Sequence, residues 1–85
     1  DSPELQKLVV TGHTDNVPIY NESFSSNWEL SAARAVSVVH SLLDTSQIDE
    51  KLVMAVGSAD TEPIVPNTNS VNRAANRRVE IKLEF

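Results

Sequence analysis

An apolar run, a helical pattern and a second apolar run, in that order, limit the folds open to this chain more than any other feature. Residues 5–11 contain Leu-Val-Val at positions 8–10, which is typical of a strand buried on both faces. Residues 27–43 carry apolar side chains at helical spacing, and residues 52–56 form another short apolar run that Gly57 ends. Strand, helix and strand in this order predict a right-handed parallel crossover unit.

The start of the predicted helix carries a capping signal with two candidate caps. Ser26 followed three residues later by Glu29 fits a capping box. Asn27 is also a good capping residue, one position later, and the sequence does not choose between the two. Residues 12–27 contain glycine and proline and have no apolar periodicity, so they predict a long loop.

The C-terminal third of the chain predicts one more helix and one more strand. Pro63 and Pro66 favour a loop, and residues 70–76 predict a short helix with Ser70 as a candidate cap. Residues 79–85 alternate apolar and charged side chains without a break, which predicts a half-buried strand at the edge of the sheet.

Composition excludes several classes of function. A chain of 85 residues with 40% apolar side chains supports a single small core, and it contains no run of the roughly 18 to 20 apolar residues that a membrane helix needs. The absence of cysteine removes disulfides and thiolate metal sites. A net charge of -5 disfavours nucleic acid and anionic lipid, and Arg73, Arg77 and Arg78 form the basic cluster.

The stretch Thr-Gly-His-Thr-Asp-Asn at residues 11–16 resembles the start of many hydrolase and metal sites, because His13 and Asp15 leave a strand together. A metal site needs three or four ligands, and His40 lies near the far end of the predicted helix. We therefore predict a structural role for His13, with no metal ion and no cofactor. An amidase or hydrolase that uses His13 and Asp15 is the enzymatic alternative, although no serine or cysteine nucleophile motif accompanies the pair.

The residues themselves favour binding over catalysis. Leu30 and Arg34 are four positions apart and share a helix face that begins at a helix N-terminus, where free amides attract anions. Asp15 follows the first strand and so lies near the carboxyl end of the sheet. An anion site beside a carboxylate suits a ligand that carries one charge of each sign.

Other roles for these residues remain open at this stage. Asp15 could bond its own backbone in a turn, Arg34 could pair with Glu29 or Glu22, and Arg77 could pair with nearby acids instead of a ligand.

Four blocks of sequence together resemble the OmpA-like peptidoglycan-binding domain. Within that family, Asp-Asn-Val-Pro-Ile followed by Phe-Ser-Ser-Asn-Trp is similar to the branch of the flagellar motor protein MotB. The OmpA-like domains of type VI secretion membrane proteins and of outer-membrane lipoproteins are the alternative branches. The blocks are G-H-T-D at 12–15, N-W-E-L-S-A-A-R-A at 27–35, Gly57 with Pro63, and N-R-R-V-E-I at 76–81.

The resemblance implies an α/β fold of the α+β sandwich kind, a βαβαβ mixed sheet with helices on one face. Residues 1–85 would form a single domain. OmpA-like domains begin with a further strand and helix, so the resemblance implies that this chain is the C-terminal part of the domain. The N-terminal strand and helix would then be missing from the sequence.

The resemblance also implies non-catalytic binding of the diaminopimelate in the peptidoglycan stem peptide. Asp15 would hold the ligand's ammonium, Arg34 and the backbone N–H of Leu30 would hold its carboxylate, and Asn27 would order the turn. Thr14 and Arg77 complete the predicted binding set, with no catalytic residue.

The expected partner is peptidoglycan, with a homodimer left open and nucleic acid excluded. The expected location is the periplasm of a Gram-negative bacterium, with an inner-membrane anchor outside these residues.

Overall fold

The computed structural model describes residues 4–85 and shows a three-stranded mixed sheet with two helices, which confirms the predicted fold class. The strand order is β2-β1-β3, with β2 parallel and β3 antiparallel to β1. Residues 1–3 of the predicted domain lie outside the described part. The elements are β1 (Lys7–His13), α1 (Asn27–Thr45), a 3-10 turn (Glu50–Leu52), β2 (Val53–Gly57), α2 (Ser70–Asn76) and β3 (Arg78–Glu84).

The cap of α1 is Ser26, which decides between the two candidates. The Trp28 N–H donates to Ser26 Oγ at 3.1 Å, and the Ser26 hydroxyl donates to the Glu29 carboxylate. Glu29 therefore bonds the capping side chain and not the capping backbone that a full capping box would use. Asn27 is the first helical residue, and the helix continues two residues past its predicted end, to Thr45.

The ends of the other elements differ slightly from prediction. Strand β1 runs to His13 instead of Thr11, because Gly12 stays paired with both neighbouring strands and His13 with β3. Helix α2 has the predicted bounds, but its cap is Asn69 and not Ser70. The Asn69 side chain accepts a hydrogen bond from the Asn72 N–H at 2.8 Å, an arrangement that favours asparagine at a helix start.

The core lies between β1 and one face of α1, where Leu8, Val10 and Ala35 are buried. The prediction that β1 is buried on both faces is wrong. Val9 and Thr11, which point away from α1, are only half-buried, because the helix covers one face of the sheet.

Strand β3 is more exposed than its alternating pattern predicted. Helix α1 lies over β1 and β2 and touches β3 little. Ile81 is 50% exposed and Leu83 is 49% exposed, although their partners Val10 and Leu8 are buried. The alternation predicted the two faces of the strand correctly, but it did not predict where the helix would lie.

Two glycines let α1 lie directly on the sheet. Gly12 and Gly57 are register partners at the carboxyl ends of β1 and β2. A Cβ atom on Gly12 would lie 2.0 Å from the backbone oxygen of Ser31, and one on Gly57 would lie 2.7 Å from the backbone nitrogen of Ala32. The helix backbone occupies the space that any side chain would need, so the height of α1 above the sheet is fixed here.

A buried asparagine organises the loop before α2. Asn76 is fully buried, and its side-chain oxygen accepts from the N–H groups of Ile64 at 2.9 Å and Val65 at 3.2 Å. Its side-chain nitrogen donates to the Val65 carbonyl and to Asn67 Oδ1, both at 2.8 Å. This one amide thereby satisfies the loop backbone and fixes α2 against it.

None of the helices within residues 4–85 has both the length and the apolar character needed to cross a lipid bilayer.

Replacing Gly12 with alanine should destabilise the fold by about 3 kcal/mol, because the added methyl group meets backbone and not a movable side chain. Urea unfolding followed by circular dichroism would measure the change. Thr11→Ala is the matched control: it adds no atom beneath α1 and should cost less than about 1 kcal/mol. Similar unfolding midpoints for the two variants would contradict the close approach of the helix.

Candidate functional site

An open cavity of about 360 Å³ lies beyond the carboxyl end of β1, between the following loop, the first turns of α1, and α2. Its wall combines apolar side chains with three guanidinium groups and one carboxylate. The lining residues are Thr14, Asp15, Val17, Ile19, Asn27, Leu30, Arg34, Ser70, Arg73 and Arg77. All six residues of the predicted binding set are among them, so the fold brings that set together in one place.

Two hydrogen bonds hold the Asp15 side chain just beyond the end of β1. Its Oδ2 atom lies 2.7 Å from Arg77 Nη1, and its Oδ1 atom accepts from the Val17 N–H at 3.0 Å. The Asp15 carboxylate therefore bonds the backbone of its own turn and also lines the cavity. Arg77 takes the pairing role that the sequence left open, while its half-exposed side chain also lines the cavity.

The environment of Asp15 keeps its carboxylate ionised. Burial raises the pKa of Asp15, but the hydrogen bonds from Arg77 and Val17 and the charges of Arg77 and Arg73 together outweigh it. The net result is a pKa below the ordinary value of 3.8. The cavity thus presents a fixed negative charge at neutral pH.

The loop that carries Asp15 is tied to the helix and to the β2 end of the sheet. Asn27 Nδ2 donates to the carbonyl oxygens of Val17 at 3.0 Å and of Asp15 at 3.4 Å. The Thr14 hydroxyl donates to the Asp15 carbonyl at 2.8 Å, and the Thr14 N–H donates to the Ala59 carbonyl at 2.8 Å. Asn27 therefore orders the turn, which is the arrangement that the resemblance implies.

Arg34 presents its guanidinium to solvent at the cavity wall. It forms no ion pair within residues 4–85, so the expected alternative of pairing with Glu29 or Glu22 is not realised there. Its planar guanidinium has the geometry to bind an anionic ligand such as a carboxylate.

The predicted role of the Leu30 amide is wrong. Its N–H donates to the Ser26 carbonyl at 3.2 Å. Because Ser26 is the cap, Leu30 is the fourth helical residue, and its N–H is the first to be used within the helix. Leu30 lines the cavity with an apolar side chain, while its N–H is already used within the helix.

Sequence reasoning missed two lining residues, Ser70 and Arg73, both on α2. In the sequence, Arg73 stands out only as part of a basic cluster. Arg73 and Arg77 are four positions apart at the end of a short helix, so they share a face, and that spacing could have suggested a joint role.

His13 lies apart from the cavity. It is buried on β1, and its Nε2 atom is 3.6 Å from Glu80 Oε2 on β3. Burial and the charge of Arg78 lower the pKa of His13, and the charges of Glu80 and Glu62 raise it less. The imidazole faces a β3 carboxylate, so the His13–Asp15 pair of an amidase is not assembled. Within residues 4–85, no group of three or more His, Asp or Glu side chains is placed to bind a metal ion.

Comparison with known proteins gives a consistent picture. The sequence profile of the OmpA family matches residues 2–77. Motility protein B of Bacillus subtilis is 40% identical over 76 residues, a stretch that covers 89% of this chain and 29% of that protein. The chain thus spans less than a third of that curated relative.

Solved structures agree with the sequence matches. The structure of the cell wall anchor of the type VI secretion system from Pseudomonas aeruginosa superposes with a TM-score of 0.81 at 46% identity, covering 89% of this chain and 52% of that one. The C-terminal domain of Helicobacter pylori MotB superposes with a TM-score of 0.85 at 33% identity, covering 93% of this chain and 59% of that one.

The paired carboxylate should make stability depend on pH in a defined direction. Because the pKa of Asp15 is lower in the folded chain, its ionisation stabilises the fold above the ordinary pKa of 3.8, and this contribution is lost as pH falls through the folded-state pKa. Asp15→Asn should therefore unfold more easily than the unchanged chain at neutral pH, and the difference should shrink below 3.8. Urea titrations across this range would measure it.

Asp44→Asn, on the exposed side of α1, is the matched control and should not show that convergence. A difference between Asp15→Asn and the unchanged chain that stays constant with pH would contradict the Arg77 pairing as its cause.

Proposed function

The chain belongs to the OmpA family, and on this basis we propose that it binds peptidoglycan without catalysis, through the diaminopimelate of the stem peptide. The observation that carries the proposal is a cavity whose wall presents an ionised carboxylate, Asp15, and a guanidinium that forms no ion pair among residues 4–85, Arg34. The free end of diaminopimelate carries an ammonium and a carboxylate on one carbon, so it matches that pair of charges.

Asp15 can hold an ammonium while it keeps its present contacts. Its two oxygens accept one hydrogen bond each, from Arg77 and from the Val17 N–H. An ionised carboxylate offers about four lone-pair sites, so two remain for a ligand. Arg77 and Val17 then act as supports that orient the carboxylate toward the cavity.

Arg34 would hold the ligand carboxylate alone, and not together with the Leu30 amide as the resemblance implies. The Leu30 N–H is used within the helix, so Arg34 is the donor that remains from the predicted anion site. Its planar fork suits bidentate contact with a carboxylate. The apolar side chains of Val17, Ile19 and Leu30 would pack on the methylene chain between the two ends of diaminopimelate.

Two observations support binding over hydrolysis. His13 is turned toward Glu80 and is not a lining residue of the cavity, so Asp15 has no imidazole partner there. The solved relative from Pseudomonas aeruginosa is described as a cell wall anchor, a role that requires attachment and no turnover.

The attachment would serve a membrane complex in the periplasm. The similarity to motility protein B and to MotB favours a flagellar stator whose inner-membrane anchor lies outside this chain. The 46% identity to the secretion-system anchor favours an alternative host, a type VI secretion complex that is attached to the cell wall in the same way. Both hosts would use the same cavity chemistry.

Asp15→Ala and Arg34→Ala should each weaken co-sedimentation with purified diaminopimelate-type sacculi about tenfold or more. A charge-assisted hydrogen bond contributes about 1.5 to 3 kcal/mol, and losing it leaves a ligand charge without a partner. Lys82→Ala removes an exposed charge on β3, outside the cavity, and is the matched control. Unchanged sedimentation of both cavity variants would refute the proposed site.

The cavity should also discriminate between two wall chemistries. Lysine shares the ammonium of diaminopimelate but lacks the carboxylate beside it, so Arg34 would face no anion in a lysine-type stem. Calorimetry should show about tenfold or greater preference for diaminopimelate fragments. Arg34→Ala should remove the preference by weakening diaminopimelate binding alone. Equal affinity of the unchanged chain for the two fragments would take Arg34 out of the carboxylate role.

A further inference from the structure

The cavity carries more positive charge than one end of diaminopimelate can neutralise. Arg34, Arg73 and Arg77 line it with a single carboxylate, Asp15, in a chain whose net charge is -5. Arg34 would take the ligand carboxylate, and the ligand ammonium would share Asp15 with Arg77. Arg73 would then remain without an opposite charge, which is costly in a partly closed site.

Arg73 lines the cavity without taking part in an ion pair among residues 4–85. It lies within α2, four positions before Arg77, and both residues line the cavity. Its charge acts on Asp15, since it helps to lower the pKa of that carboxyl. Yet it forms no salt bridge with any carboxylate in the described part of the chain. Ser70, one turn earlier on the same helix, adds a hydroxyl to the same wall.

We propose that Arg73, with Ser70 on the same cavity wall, forms a second carboxylate-binding position that takes a second free carboxylate of the stem peptide. The inference rests on the proposed function and deepens it, because it makes the preferred ligand a stem with a further free negative charge. Two groups have this chemistry: the α-carboxylate of the γ-linked glutamate, and the C-terminal carboxylate of a stem that ends at diaminopimelate.

A small carboxylate fits the observations better than a larger anion. The cavity of about 360 Å³ has apolar Val17 and Ile19 in its wall, which suits a peptide more than a polyanion. The surrounding chain is acidic, so nucleic acids and anionic surfaces are repelled while a short peptide can enter.

Calorimetry with three synthetic peptides tests the proposal. The first is alanyl-γ-glutamyl-diaminopimelate, the second carries an amide at the glutamate α-carboxyl, and the third carries an amide at the C-terminal carboxyl. We expect the unchanged chain to bind one of the amides about tenfold more weakly than the first peptide, as for loss of one charge-assisted hydrogen bond. The amide that loses affinity identifies which carboxylate Arg73 holds.

Arg73→Gln should bind the first peptide as weakly as the unchanged chain binds the amide that loses affinity. The variant should also bind the first peptide and that amide equally well. Arg73→Lys keeps the charge and should keep part of the preference. Lys82→Gln, which removes a positive charge outside the cavity, should keep all of it.

Two results would overturn the inference while the proposed function stands: equal binding of all three peptides by the unchanged chain, or an equal loss for all three in Arg73→Gln. Failure of the unchanged chain to bind any of the peptides would overturn the proposed function as well.

Discussion

The contact of the α1 backbone with Gly12 and Gly57 is the constraint on which the rest of the site depends. It sets Ser31, fully buried, directly over the ends of two parallel strands. The Ser31 hydroxyl accepts from the Ala59 N–H at 3.0 Å, and the Ala59 carbonyl accepts from the Thr14 N–H at 2.8 Å. These hydrogen bonds join α1 to the loop after β2 and to the loop after β1. They fix the two segments, α1 and the β1 loop, that form much of the cavity wall.

The distribution of charge separates the cavity from the rest of the surface. The protein as a whole is acidic, yet the cavity gathers three of its arginines around one carboxylate. One arginine, Arg77, orients Asp15, while Arg34 and Arg73 have no carboxylate partner within residues 4–85. A fold gains little from unpaired guanidinium groups, so their convergence is better explained by a ligand than by stability.

Local signals predicted local structure well. Pro63 and Pro66 mark the loop before α2, the short stretch that follows gives the bounds of that helix, and the family motifs placed six lining residues in one set. The predictions that failed depend on contacts between elements, which the sequence does not show. The extent of β1 follows from pairing on both sides, the use of the Leu30 amide depends on a one-residue choice of cap, and the place of Arg73 depends on how α2 packs.

The central position of β1 has a mechanical consequence. Asp15 follows β1 by two residues, and β1 is hydrogen-bonded to β2 along one side and to β3 along the other. If a ligand binds Asp15 as proposed, a pull along the axis of this strand would load both ladders in shear, and many hydrogen bonds would have to break together. A tether built on an edge strand would instead peel away one bond at a time, so this sheet suits a load-bearing attachment.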